Sequence, residues 1–259
     1  MIPAQRACRS PLRLFACLLS FLATAEAGAG IEATATSLVE RYIDAMGGRA
    51  SLEKINSLRL SGTIRHEDGT SQSITLLKKK PDRVRLSINA GTLRLIQAYD
   101  GEVAWSATHF RGNSEVRRMD PPEAVRFIRE APLENALVNP AASGASIVRG
   151  PDILLAGKTG FQLIAIYPDG SRSAFHIEKE TFFERRIIEY DSDGAFLSEI
   201  IPSNFEKVRG VVFALQIIRR DASGNTLSTL VIDEVETNFG LLDSAFTPPA
   251  DLAPAPDHE

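Results

Sequence analysis

The chain has 259 residues, with 29 basic against 33 acidic side chains and two cysteines. That length is enough for one β-rich domain with its own core. A formal net charge of −4 gives no footprint for nucleic acid, and so few cysteines argue against disulfide frameworks and cysteine-based zinc or iron–sulfur sites.

The first residues read as a secretion signal. Arg6, Arg9 and Arg13 form a positive start, Leu14 to Ala25 an apolar run too short to span a bilayer, and Ala25-Glu26-Ala27 a small-residue cleavage site. Cys17 follows Leu14-Phe15-Ala16, but Phe15 is bulky where lipoprotein processing wants a small residue. The expectation is a cleaved signal over residues 1–27 and a periplasmic product. Both Cys8 and Cys17 leave with it, together with three arginines and one glutamate. The remaining 26 bases and 32 acids give a net charge of −6. A mature chain without thiols must be stabilised by its core alone.

From residue 33 the pattern predicts an amphipathic helix to Gly48. Leu38, Val39, Tyr42, Ile43 and Met46 share one face, and Gly47-Gly48 stops it. Alternation then predicts strands over 56–66, 72–79, 83–89, 93–99 and 103–108. Leu58, Leu60, Gly62 and Ile64 share one face of the first, where Gly62 permits curvature. Asp68-Gly69, Asp100-Gly101, Asp169-Gly170 and Asp193-Gly194 mark hairpin turns. Asp120-Pro121-Pro122 starts a second helix, with Ala124, Val125, Phe127 and Ile128 as its apolar face. Pro132 breaks it, and a further helical piece is expected over 133–138 before a loop at 139–144. Strands resume at 152–156, 160–167, 172–178, 182–190, 195–201, 211–220 and 226–237. The organisation expected is one domain over 28–247 and a Pro- and Ala-rich disordered tail over 248–259.

Signs of chemistry are sparse. His66, His109, His176 and His258 stand apart from one another, without metal-ligand spacing, and no Gly-x-Ser-x-Gly elbow occurs. Gly157-Lys158-Thr159 lacks the upstream glycine and following helix of a phosphate loop. Glu189-x-Asp191-x-Asp193-Gly194 has Ile200 where a calcium loop needs its bidentate carboxylate. Both read as hairpin turns. Lys78, Lys79, Lys80, Arg83 and Arg85, with Arg94, form a basic cluster that reads as a solvated face or as a contact for anionic headgroups or an acidic partner. Trp105 suits a core or a cavity wall. No catalytic residue, metal or cofactor is expected.

Several segments are similar to LolA-like proteins, the outer-membrane lipoprotein-sorting family. They are Arg41-Tyr42-Ile43-Asp44-Ala45-Met46-Gly47-Gly48, Leu52-Glu53-Lys54-Ile55, Ser57-Leu58 with Gly62, Lys80-Pro81-Asp82-Arg83, and Tyr99-Asp100-Gly101-Glu102 with Trp105. Glu236-x-Asn238 and Asp243-x-x-Phe246-x-x-Pro249 complete the order. The resemblance implies an α+β, mainly antiparallel fold: a half-open, curved β-barrel whose concave apolar face is covered by helices. It implies a monomeric, non-enzymatic periplasmic carrier of lipoprotein acyl chains or another hydrophobic ligand, meeting a membrane or membrane receptor transiently. A lipid or lipoprotein sensor that binds a regulatory protein is the alternative. Expected cavity residues are Leu60, Ile64, Leu86, Ile88, Leu95, Tyr99 and Trp105, with Phe127 and Ile128 from the covering helix.

Overall fold

A computed structural model describes residues 33–155, 157–250 and 252. The expected signal and most of the expected tail lie outside the described residues. Helix α1 spans Ala35–Ala45 and α2 Arg49–Glu53. Six strands follow: β1 (Ser57–His66), β2 (Ser71–Lys79), β3 (Arg83–Ala90), β4 (Leu93–Tyr99), β5 (Ala104–Phe110) and β6 (Asn113–Arg118). Helices α3 (Pro121–Arg129) and α4 (Pro140–Ser143) separate these from β7 (Ser146–Arg149) and β8 (Ile153–Leu155). Then come β9 (Lys158–Ile166), β10 (Arg172–Glu178), β11 (Glu184–Tyr190), β12 (Phe196–Val208), β13 (Val211–Arg220) and β14 (Thr226–Thr237).

All the strands join one antiparallel sheet in the order β6-β5-β4-β3-β2-β1-β14-β13-β12-β11-β10-β9-β7, with β8 also on β9. It is two meanders fused by the β1–β14 pair. The sheet is curved but not closed, a half-open barrel with β6 and β7 at its ends. Gly62 sits at an irregularity in the β1–β14 register, where a β-carbon would overlap the Val231 carbonyl oxygen. Only glycine lets β14 approach that closely.

The inner face carries the helices. Thr34 caps α1 by accepting from the Ser37 amide at 3.2 Å. Its apolar stripe, Leu38, Tyr42 and Ile43, is buried against Leu163 and Ala165 of β9 and Phe175 and Ile177 of β10. Gly47, at φ 119°, ends the helix where a side chain would strike Gly210. The Val212 amide donates to the Met46 carbonyl there at 2.9 Å, fixing α1 to the β12–β13 turn.

The outer face of the β1–β5 half is crossed by residues 239–247. Ser57 Oγ donates to the Phe239 carbonyl (3.1 Å), Lys79 Nζ to Leu241 (2.7 Å), Arg85 Nη1 to Ala245 (2.6 Å) and Trp105 Nε1 to Phe246 (2.8 Å). Phe246 is fully buried, and Leu252 packs beside Trp105, Ile96 and Ala98.

Some elements differ from expectation. Residues 133–138 form turns rather than a helix, since Pro132 is followed by Asn135, whose side chain accepts from the amides of Leu137 and Val138 in place of helical carbonyls. Residues 140–143 are a helical turn capped by Asn139. Strands β6 and β7 lie where none is expected. β12 continues through Pro202 to Val208; its pairing with β11 ends at Ile200, so Pro202 withholds no hydrogen bond from β11.

Removing the Phe246 side chain leaves a cavity under the C-terminal strap. Phe246→Ala is expected to cost about 3–5 kcal/mol in urea denaturation. A loss below about 1 kcal/mol would show that the strap is not part of the cooperative fold.

Candidate functional site

Antiparallel pairing places directly opposed residues on one face. Two rows across the inner face therefore define the half near β6. One runs Leu60, Leu76, Leu86, Gln97, Ser106, Arg117; the next runs Gly62, Ile74, Ile88, Leu95, Thr108, Glu115. Each begins apolar on β1–β3 and turns polar on β5–β6. Helix α3 meets the first row at Gln97 and Arg117 through Glu123, which borders a cavity of about 320 Å³ on these rows. Leu86, Ile88 and Leu95 form its apolar wall; Thr108, Glu115 and Arg117 face them.

The covering helix is well capped and poorly packed. Asp120 accepts from the Glu123 amide at 2.8 Å, and Pro121 takes the first helical position. Yet none of its residues is fully buried: Phe127 and Ile128 are partly buried and Val125 is 51% exposed. A polar clasp holds it to the sheet, with Arg117 Nη1 donating to Glu123 (2.9 Å) and Gln97 Nε2 to the other oxygen of Glu123 (3.3 Å).

The other half of the inner face is filled. The segment after α3 is pinned there: Ala131 and Leu137 are buried, Lys78 Nζ donates to the Pro132 carbonyl (3.0 Å), and Lys80 pairs with Glu134 (2.9 Å). Burial lowers the Lys78 pKa, opposed by the nearby charges of Glu130 and Glu134. A smaller polar cavity of about 210 Å³ remains beside this segment, floored by Tyr167, Ser173 and Glu189.

The sequence-derived candidates are thus dispersed. Leu86, Ile88 and Leu95 line the 320 Å³ cavity, to which α3 contributes Glu123; Phe127 lines an adjoining groove with Gln97, Arg126 and Glu130, and Ile128 lies outside both linings. Leu60 and Ile64 share that face but lie on β1, outside the lining, and the Tyr99 hydroxyl donates to its neighbour Gly101 at 2.7 Å. Trp105 is on the outer face, 2% exposed beneath the strap. The basic cluster is divided: Lys78 points inward, Lys80 holds the pinned segment, and Lys79, Arg83 and Arg85 grip the strap, two of them through Asp243. Sequence reasoning missed Gln97, Glu115, Arg117 and Glu123. Arg111 and Gly112, both at positive φ, make the two-residue hairpin turn that could have revealed β6.

Two titratable groups sit apart from the cavity. His176, on the outer face, is held neutral, its pKa lowered to about 4 by burial and by Arg186. Glu184 is buried on β11 under α1, where the Tyr42 hydroxyl meets it; Asn135 Nδ2 donates to the same hydroxyl at 2.8 Å. Burial raises the Glu184 pKa above 4.5, and its second carboxyl oxygen has no partner among the described residues. Among the described residues no group of three His, Cys, Asp or Glu could hold a metal ion, and no helix is long and apolar enough to cross a membrane.

No protein-family model matches the sequence, and no curated protein matches it. Solved structures do match. A DUF1329 family protein from Desulfovibrio piger ATCC 29098 superimposes with a TM-score of 0.58 at 13% identity, covering 82% of this chain and 97% of that one. A domain assigned to outer membrane lipoprotein sorting from Vibrio parahaemolyticus gives 0.55 at 13% identity over 82% and 97%. A LolA superfamily protein from Nitrosomonas europaea gives 0.55 at 15% identity over 83% and 98%. The chain has the LolA-like fold, and at these identities the likeness concerns the fold alone.

The fold binds the Glu184 proton more tightly than the unfolded chain does. Its contribution to stability is therefore full below the ordinary glutamate value of 4.5 and is lost as pH rises through the folded value. Glu184→Gln removes this dependence. The stability of the variant relative to the parent should rise from pH 4 to pH 8 by about 1 kcal/mol or more in denaturant titrations. A difference that stays constant with pH would show that Glu184 is not a buried acid.

Proposed function

We propose that the protein is a non-enzymatic periplasmic carrier that holds a hydrophobic ligand, such as an acyl chain, between α3 and the inner face of β3–β6. The observation that supports this most is the mismatch between α3 and its surroundings. An amphipathic helix with no buried residue borders an apolar wall that is itself open, while α1 on the same sheet buries its apolar stripe. A helix gains most of its stability from burying such a face, so α3 rests in a state that a ligand can improve.

The cavity volume of about 320 Å³ is at the lower end of the usual range for small-ligand sites, roughly 300–1,000 Å³. A long chain therefore enters by lifting α3 about the pinned residues 131–137. Each methylene withdrawn from water contributes about 0.8 kcal/mol, which favours a loaded, raised helix over an empty, lowered one. Release needs no chemistry, only an acceptor membrane or receptor with a better site. The assignment of one structural neighbour to outer membrane lipoprotein sorting fits a carrier.

Phe127→Glu places a charge in the groove that shares Gln97 and Glu123 with the cavity, away from the packed half. Binding of an uncharged naphthylamine dye, followed by fluorescence, is expected to weaken at least tenfold, about 1.4 kcal/mol, with circular dichroism unchanged. Retention of full affinity would contradict the placement of the ligand beneath α3. Native purification of the chain from a cell envelope should bring down a lipid or acylated protein near one equivalent, seen by mass spectrometry. A protein that is empty and transfers no lipid between vesicles is not a carrier.

A further inference from the structure

We infer that the cavity beneath α3 selects amphiphiles with a cationic or zwitterionic head and disfavours anionic ones; this rests on reading that cavity as the ligand site. Its apolar and polar walls are segregated by strand. Leu86, Ile88 and Leu95 stand opposite Thr108, Glu115 and Arg117, so a ligand lying across β3–β6 meets hydrocarbon at one end and charge at the other. The charge at that end is unbalanced. Arg117 is already engaged by Glu123 at 2.9 Å, and both Glu123 oxygens are occupied, one by Arg117 and one by Gln97. Glu115 has no ion pair or hydrogen bond in the described structure, and it faces the cavity from the edge strand.

The surroundings do not counter the sign. In the groove continuing from the cavity along α3, the acid outside the clasp and the helix cap, Glu130, faces Arg126, so the groove brings no excess of positive charge. Lys78, the inner-face lysine nearest by strand order, is turned to the Pro132 carbonyl between Glu130 and Glu134. An anionic head would have to sit beside Glu115 or break the Arg117–Glu123 clasp. A cationic head completes Glu115 and leaves the clasp intact. Ser106 and Thr108 supply neutral hydrogen-bonding groups for a zwitterion's remaining polar atoms.

The test compares three probes on the full chain at low salt: dodecyltrimethylammonium, dodecyl sulfate and an uncharged dodecyl maltoside, all below their micellar concentrations, each displacing the naphthylamine dye. The ammonium probe is expected to bind roughly fivefold more tightly than the sulfate, the scale of one partly exposed charge pair. That preference should fade at high salt, where such pairs are screened. Glu115→Gln, a change at an exposed position, should abolish the preference, read as the ratio of ammonium to sulfate affinity within the same variant. Equal or tighter binding of the sulfate, or a preference unaffected by Glu115→Gln, overturns the inference. If maltoside and dye bind but the ammonium and sulfate probes bind equally, the carrier reading stands and this one fails. If none of the probes binds, both fail.

Discussion

Pairing of β1 with β14 fuses two meanders into a single sheet, and this creates an inner apolar face wider than the chain's helices can cover. β-Sheets bury one face against another layer, and here that layer is α1, the pinned turns 131–137 and α3. The first two are concentrated over β9–β10, where Leu38, Tyr42, Ile43 and Leu137 meet Leu163 and Phe175. Nothing of comparable packing remains for β3–β6. That deficit is where we propose the ligand binds: one half of a continuous face is a core, and the other half is a lined space beside a loosely held helix.

The outer face is resolved differently. A strap without regular hydrogen-bonded partners crosses β1–β5, and its carbonyls are satisfied by side chains of the sheet, Lys79, Arg85 and Trp105 among them. Buried carbonyls need such partners. The strand alternation that sends Leu86 and Ile88 inward sends Arg85 and Ser87 outward, so one strand, β3, serves the cavity on one face and the strap on the other. The cavity and the strap lie on opposite sides of one piece of sheet.

Much of this was legible in the sequence. Period-two alternation placed most strands within a residue or two, and Gly47-Gly48 and Asp120-Pro121 marked the ends of the two main helices. The inward direction of Leu86, Ile88 and Leu95 follows from the same alternation. What was not legible has a common cause. Asn113–Arg118 has a single apolar residue, so β6 carries no hydrophobic period, and with it Glu115 and Arg117 were invisible as cavity residues. Alternation also cannot say which face a residue with two plausible environments occupies. Trp105 and the basic cluster required the register to reveal that they face the strap or the pinned segment.

The central claim is that α1 and α3, both covering one sheet, differ in kind: the first is core and the second is a lid awaiting a ligand. Native-state amide hydrogen exchange separates them directly. In the ligand-free protein the amides of 35–45 should exchange only with global unfolding, whereas those of 121–129 should exchange through a local opening of much lower free energy. Saturating hydrophobe should then protect 121–129 and leave 35–45 unchanged. Equal protection of both helices in the empty protein, or no added protection of 121–129 on loading, would contradict the account.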